Sequence, residues 1–240
     1  MPNSNKVYLI PCVLDAEAIQ TIPAYIVDHI KNCQVFFVEN ERTARRYLKQ
    51  LWKVCLPGQE LIIDNYEWFT IHKAEKEVQH AFRQKLREGR NIGIISEAGC
   101  PGIADPGQLL VQTAQDMEIE VKPLVGPSSI LLALMASGMN GQQFQFAGYL
   151  PIDNTERVKA AKDLETESKK KNSTQIFIET PYRNNQLVET LLKTCSPATR
   201  LCIAVDITGE KEWIKTKTID DWTKNKPDIH KRPAIFLLLA

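Results

Sequence analysis

The segment SEAGCPGIADPG, Ser96 to Gly107, places three glycines, two prolines and two acids in twelve consecutive positions. Glycine permits positive φ and close backbone approach, and proline fixes chain direction, so the segment can present N–H and C=O groups to a polar ligand. It spells no G-x-G-x-x-G, and no lysine-serine pair follows its glycines as in a P-loop. Ser96 does not sit in a G-x-S-x-G elbow. Cys100 has small and apolar neighbours and no adjacent base, which argues against a nucleophilic role. Taken alone, the segment also fits a long surface turn. A second grouping is cationic. Arg42, Arg45, Arg46, Lys49 and Lys53 follow i, i+3, i+4, i+7 and i+11 spacing. At about 100° per residue they form one helical stripe roughly 120° wide, opposite Ala44, Tyr47, Leu48, Leu51 and Cys55. Aligned cations with no acid among them suit phosphate contacts; the same pattern fits the solvated face of an amphipathic helix.

The elements that must position these residues alternate. Strand-like runs at 6–11, 34–39, 60–64, 91–96 and 119–124 are separated by helical patterns near 16–31, 41–55, 73–88 and 108–117. That rhythm predicts a mostly parallel sheet with helices on both faces. Ligands of such sheets bind beyond the carboxyl ends of the strands, where Ser96–Gly107 falls. Gly126-Pro127 then breaks the chain, Ser128 or Ser129 can cap a helix, and Gly138 can end it. Beyond Gly141 the runs at 144–149, 174–179, 200–205, 212–217 and 234–239, with helices near 154–171 and 184–194, predict a second domain with a mixed sheet. The expected domains are 1–124 and 125–240. Lys169, Lys170 and Lys171 read as a solvated helix end.

With 240 residues, 43% hydrophobic and 25% charged, the chain can bury ample core as a soluble globular protein. A net charge of +1 gives no global polyanion signature, so any nucleic-acid surface must be local. Six scattered cysteines without a C-x-x-C pair argue against zinc and disulfides and fit a reducing cytoplasm. No metal is expected. The opening residues lack the pattern of a signal peptide, and no apolar run reaches the ~18 residues of a membrane span.

Four segments occur in order: SEAGCPGIADPG, GPSSILLALMASGM, FQFAGYLP and IFIETPYRN. Together they resemble successive motifs of the tetrapyrrole methylase superfamily, the class III S-adenosylmethionine-dependent methyltransferases. Within it they are most similar to the branch that methylates small-subunit ribosomal RNA. The matching positions are Ser96, Glu97, Ala98, Gly99 and Asp105-Pro106-Gly107; Gly126 and Pro127; Gly148–Pro151; and Glu179, Pro181 and Arg183. The resemblance implies a two-domain α/β fold with a cofactor cleft between the domains. It implies S-adenosylmethionine lined by Pro11, Ser96, Glu97, Ala98, Gly99, Ile103, Ser128, Ser129, Ile178, Pro233 and Ala234, and a homodimer in the cytoplasm. The implied substrate is a cytidine 2′-hydroxyl of small-subunit ribosomal RNA. RNA contacts would fall to Arg42, Arg45, Arg46, Lys49, Lys53 and Arg183.

Such a transfer needs an aligned nucleophilic oxygen, exclusion of water and a base for the departing proton. Glu97, Asp105 and Glu179 are the candidate bases, and no spacing selects one. Turn capping or a structural ion pair is the competing role of each. Cys12-Val13-Leu14-Asp15 stands where the branch has a glycine-asparagine turn, Glu39 to Arg42 keeps the outer two residues of an acid-acid-threonine-arginine motif, and Tyr182 replaces a histidine. Glu97 replaces an aspartate, and Val205 and Asp206 replace an arginine and a glutamate. Two other readings stay open: methylation of a tetrapyrrole carbon, and a member that binds cofactor or ribosome without catalysis.

Overall fold

Every residue of VFFV (35–38) and IGII (92–95) is buried, the signature of parallel strands covered on both faces. The computed structural model describes residues 5–71, 75–104 and 107–240 and divides into two compact units after Ser128. In the first unit, β1 (Lys6–Ile10), β2 (Val35–Val38), β3 (Glu67–Thr70), β4 (Ile92–Ile95) and β5 (Glu120–Pro123) form a sheet ordered β3-β2-β4-β1-β5. All of its ladders are parallel.

Alternation along the strands sorts the core into two layers. Tyr8, Ile10, Phe36, Val38 and Ile95 pack with α1 (Ile26–Ile30) and α2 (Glu41–Cys55). Val7, Val35, Phe37, Ile92 and Ile94 pack with Phe82 and Leu86 of α3 (Glu75–Arg87) and Leu110 and Ala114 of α4 (Gln108–Asp116). Helices therefore cover both faces, as the alternating pattern predicts. Gly93 belongs to the first layer, and its missing side chain is filled by a neighbour. A Cβ there would lie 2.6 Å from Phe36 ring carbons and 2.9 Å from Ile10 Cδ1.

In the second unit, β6 (Phe144–Tyr149), β7 (Thr174–Ile178), β8 (Arg200–Val205), β9 (Trp213–Thr218) and β10 (Ala234–Leu239) are ordered β6-β7-β10-β8-β9. β6 and β7 are parallel and the other ladders antiparallel, so the sheet is mixed as expected. Phe177, Leu201, Ile203, Val205, Phe236 and Leu238 share a core with α6 (Asn154–Lys171), α7 (Asn184–Thr194) and α8 (Ile219–Lys224). The helix α5 (Ser129–Ser137) packs on β9 and β10, where Thr216 Oγ1 donates to the Ser137 carbonyl at 2.8 Å. Gly138 ends it at φ +65°. The β6 ladder is irregular between Phe146 and Tyr149, around Gly148 at φ +69°.

Two expectations are corrected, and one helix is added. The helix expected over 16–31 is a 3-10 turn (Ile19–Thr21) and the short α1, separated by Pro23, which holds Ile22 extended at φ −93°, ψ 121°. The strand expected at 60–64 lies at Glu67–Thr70, where Trp68 and Phe69 stack on Phe36 and Phe37 of β2; Ile63–Asn65 is a 3-10 turn. The helix α8 follows β9 directly, capped by Thr218 Oγ1 accepting from the Asp221 N–H. No described helix is long and apolar enough to cross a membrane.

Because the ring over Gly93 is locked between Trp68 and Tyr66, Gly93→Ala should destabilise the first unit by about 1–3 kcal/mol. Urea denaturation checks this: an unchanged midpoint would mean that the layer repacks freely.

Candidate functional site

The carboxyl ends of the parallel strands gather the glycine-rich loop and its neighbours. Leaving β1, Cys12 exchanges two backbone hydrogen bonds with Gly99: its N–H donates to the Gly99 carbonyl at 2.8 Å, and the Gly99 N–H returns to Cys12 at 3.1 Å. Gly99 sits at φ +71°, and its open side faces Leu14 Cδ2 and the Pro127 carbonyl. After β5, Gly126 lies so close to Pro11 that a Cβ there would run into the proline ring. The Cys100 thiol reaches the Pro127 carbonyl at 3.5 Å. The backbone of 11–12, 98–100 and 126–127 therefore forms one connected rim.

Acids at this rim are engaged in different ways. Leaving β2, Glu39 accepts from the Glu97 N–H at 2.9 Å. The Glu97 carboxylate accepts from the Thr43 hydroxyl through Oε1, while Oε2 has no hydrogen-bond partner among the described residues. Its negative charge lies beside the N-terminal turn of α2, which Asn40 caps through the Arg42 and Thr43 N–H groups. Asp15 turns back on its own segment, accepting from the Glu17 N–H at 2.9 Å. The Ser96 hydroxyl points at the Ala98 carbonyl, 3.4 Å away.

The helix α2 has the expected bounds and two faces. Its inner face buries Ala44, Tyr47, Leu48, Leu51 and Trp52, and the Tyr47 hydroxyl donates to the Pro11 carbonyl at 2.6 Å. Its outer face lines a shallow groove of about 590 Å³ with Glu41, Arg42, Arg45, Arg46 and Lys49. Arg45 is drawn out of the cationic stripe: it pairs with Asp64 at 2.8 Å and Glu41 at 3.4 Å, and lies 5.3 Å from the Trp68 ring centroid. Arg42, Arg46, Lys49 and Lys53 have no ion-pair partner among the described residues.

In the second unit, Glu179 follows β7 with a fully buried side chain. Its Oε1 accepts from the Thr180 N–H at 2.7 Å and from Arg183 Nε and Nη2 at 3.0 and 2.6 Å. Oε2 is buried with no partner among the described residues. Asp206 and Thr208, after β8, adopt φ +49° and +74°. Arg232 bridges Asp206 and the Lys211 carbonyl, and the Asp206 N–H donates to the Pro233 carbonyl at 3.0 Å.

The sequence-derived residues thus separate into groups. Pro11, Ser96, Glu97, Ala98, Gly99 and Ile103 share the rim of the first sheet. Ser128 ends the first unit and Ser129 opens α5. Ile178, Glu179, Arg183, Pro233 and Ala234 gather at one end of the interior strands β7 and β10, where Ile235 pairs antiparallel with Ile178. Asp105 lies outside the described residues. Glu39 had been noted only as a motif residue; its bond to the Glu97 N–H, the Thr43–Glu97 and Tyr47–Pro11 bonds and the Arg45–Asp64 pair join positions far apart in sequence, and no local pattern marks them. Among the described residues, no cluster of His, Cys, Asp or Glu could hold a metal ion.

Burial, reinforced by the charges of Glu97 and Glu39, pushes the Cys12 thiol up to about 12. Burial does the same to Cys195, also to about 12. Unfolded thiols titrate near 8.5. Between about pH 9 and 12 the unfolded chain therefore holds fewer protons than the native one, and stability falls as pH rises. The thermal midpoint should drop across pH 9–11, and Cys12→Ala should flatten that drop. An identical profile in the variant would show that Cys12 does not contribute.

A profile of the Tetrapyrrole (Corrin/Porphyrin) Methylases matches residues 22–222. Ribosomal RNA small subunit methyltransferase I of Buchnera aphidicola subsp. Schizaphis graminum is 32% identical over 168 residues, covering 69% of this chain and 58% of that protein. Its namesake from Escherichia coli O157:H7 is 30% identical over 178 residues, covering 72% of this chain and 61% of that protein. The matched stretch thus spans about three fifths of the length of these relatives. Among solved structures, diphthine synthase superposes with a TM-score of 0.64 at 12% identity, covering 99% of this chain and 90% of that one. The methyltransferase CobJ does so with 0.63 at 16%, covering 98% and 94%. Uroporphyrin-III C-methyl transferase from Thermus thermophilus, complexed with S-adenyl homocysteine, gives 0.56 at 15%, covering 98% and 97%. At these identities the structures share the fold.

Proposed function

The chain belongs to the tetrapyrrole (corrin/porphyrin) methylase family, and we propose that it transfers a methyl group from S-adenosylmethionine to a cytidine 2′-hydroxyl of small-subunit ribosomal RNA in the cytoplasm. The observation that carries this reading is the connected rim at the strand ends, which joins Pro11, Ala98, Gly99, Gly126 and Pro127, positions that the motif resemblance implies, through the bridge at Cys12. The rim fits the cofactor. Ala98 is exposed, and a Cβ at Gly102 would meet nothing within 4 Å, so there is space for an adenosine against this stretch of the loop. Ser96–Ile103 of the first unit would hold it. The cofactor, when bound, supplies a methyl group on a sulfonium, a good leaving group.

The chain's own residues then position the ribose oxygen and accept its proton. Arg183 holds Glu179 in an ion pair, which leaves that acid no solvent-facing oxygen. Glu97 is exposed and keeps Oε2 unbonded among the described residues, so it is the acceptor in this mechanism. Thr43 and the Glu39-bound backbone N–H fix its orientation. Arg42, Arg46, Lys49 and Lys53 supply the phosphate contacts, with Arg45 occupied by its surface pair with Asp64. The same reading pairs the chain with a second copy, for which the exposed Leu131, Met135, Phe144 and Tyr149 of α5 and β6 offer apolar surface.

Calorimetry should detect S-adenosylmethionine, and labelled methyl should appear on unmodified small subunits. Label on a tetrapyrrole and none on RNA would favour the carbon-methylating alternative. Glu97→Gln should lower the transfer rate about 100-fold or more, the range of general bases, with cofactor affinity retained; an unchanged rate removes Glu97 from the chemistry. Replacing Arg42, Arg46 and Lys49 by alanine should weaken RNA binding and flatten the salt slope by about 0.7–0.9 per lost contact. Arg45→Ala should leave that slope unchanged. An equal slope in wild type and triple variant would make the stripe a solvated face.

A further inference from the structure

Tyr182 projects from the turn after β7 with 71% of its surface exposed, more than any other described Phe, Tyr or Trp. It is nevertheless held in a rigid frame. The Arg183 N–H closes the turn on the Thr180 carbonyl at 2.9 Å, above the buried Glu179–Arg183 pair. The segment 228–232 is tied to the same turn from the other side. The Lys231 N–H donates to the Pro181 carbonyl at 2.9 Å. Asn184 Nδ2 donates to the Arg232 carbonyl at 2.6 Å. Asn185 donates to Asp228 at 2.8 Å and accepts from the Ile229 N–H at 2.9 Å. Lys231 is fixed at φ +62° in this arrangement, a conformation that costs a non-glycine residue energy and persists only when its surroundings hold it.

The result is an aromatic face with charge placed at its border. Lys231 Nζ lies 5.9 Å from the Tyr182 ring centroid, and the His230 ring meets it edge-on at 6.3 Å and 75°. The neighbouring acids are committed: Glu179 to Arg183, Asp206 to Arg232, and Asp228 to Asn185 and the His230 N–H. Lys231 has no acid partner among the described residues, so the platform combines an open ring with an ammonium group at its border. A ligand with a flat π-face and an anionic group several bonds beyond it, on the scale of the 5.9 Å from ring centroid to Lys231 Nζ, matches both features. A nucleotide of single-stranded RNA has that form, and base–aromatic stacking tolerates any base.

We propose that Tyr182 is the stacking platform for one unpaired base of the RNA substrate, with Lys231 and His230 facing the adjoining phosphate. This rests on the RNA reading above and adds to it a site on the second unit, separate from the cationic stripe of α2.

The test is fluorescence anisotropy of a labelled single-stranded oligoribonucleotide of about ten nucleotides with wild type, Tyr182→Ala, Tyr182→Phe and Tyr182→Trp, each checked by thermal melting. Loss of one stacked base should weaken binding about 5- to 150-fold in Tyr182→Ala, while Phe and Trp hold affinity within about threefold. In Tyr182→Trp, indole emission should be quenched on binding beyond the wild-type background. Alanine binding within twofold of wild type, or Phe as weak as Ala, would overturn the platform and leave the RNA reading standing. If wild type binds no RNA and transfers no label to small subunits, the RNA reading itself falls, and the platform with it. Wild-type binding of a porphyrin that Tyr182→Ala loses, without RNA binding, would assign the ring to a macrocycle instead.

Discussion

Two hydrogen bonds between Cys12 and Gly99 fix the rim of the first sheet. They join the chain leaving β1 to the loop leaving β4, strands that already pair side by side. The bridge extends that pairing past the end of the sheet, where the backbone would otherwise be free to splay. Gly99 is needed at this point because the bridge places it at φ +71°, where a side chain is strained and would also press on Leu14. Gly126 is needed for a different reason: its backbone rests on the Pro11 ring, and any Cβ would lift it off. Tyr47 completes the anchoring from beneath by bonding the Pro11 carbonyl. Each contact constrains backbone, so the loop's exposed N–H and C=O groups are held in place before any ligand arrives, which lowers the ordering cost of binding.

The absence of a glycine turn at 12–15 acquires a physical meaning from this arrangement. Asp15 satisfies its own turn and does not enter the rim. Leu14 does, and its methyl lies against the open side of Gly99. Space beside the loop is therefore left on the β4 side, at Ala98 and Gly102, while the β1 side contributes an apolar wall. A rim built this way offers shape and dryness from one edge and hydrogen-bonding groups from the other.

Local patterns in the sequence carried much of this, and long-range geometry carried the remainder. The helix α2 is legible to the residue, because Asn40 caps it and its apolar positions recur at helical spacing. The loop after β4 is legible because its glycines mark backbone that turns sharply, Gly99 at φ +71° and Gly102 at φ +82°. The helix at 16–31 misled because its apolar spacing outweighed Pro23, which divides it. The strand at 60–64 misled because Leu61, Ile62 and Ile63 are a stronger apolar run than Glu67–Thr70, although Trp68 and Phe69 are the residues that stack on β2. The commitments of Arg45 to Asp64 and of Glu97 to Thr43 were invisible for another reason. A charged residue looks the same in sequence whether its partner comes from a distant loop or from solvent.

Burial of charge in the second unit follows the same logic as the rim of the first. Arg157 is almost fully buried without a carboxylate, its guanidinium shared among the Ile152 carbonyl, Asn154 Oδ1 and Thr190 Oγ1. Glu179 is fully buried with one cationic partner. Burying such groups costs free energy that only complete hydrogen bonding offsets. Arg157 meets that condition with neutral oxygens and pins the segment leaving β6 to α7. Glu179 meets it on one oxygen only, and the donors there fix the turn that carries Tyr182. Both charges sit just past the carboxyl ends of the parallel pair β6–β7, where the ladder can no longer hold the chain. A buried charge tolerates few geometries, so it fixes a loop more sharply than apolar packing would. The second sheet thus uses charge to do what backbone pairing and close glycine contacts do on the first.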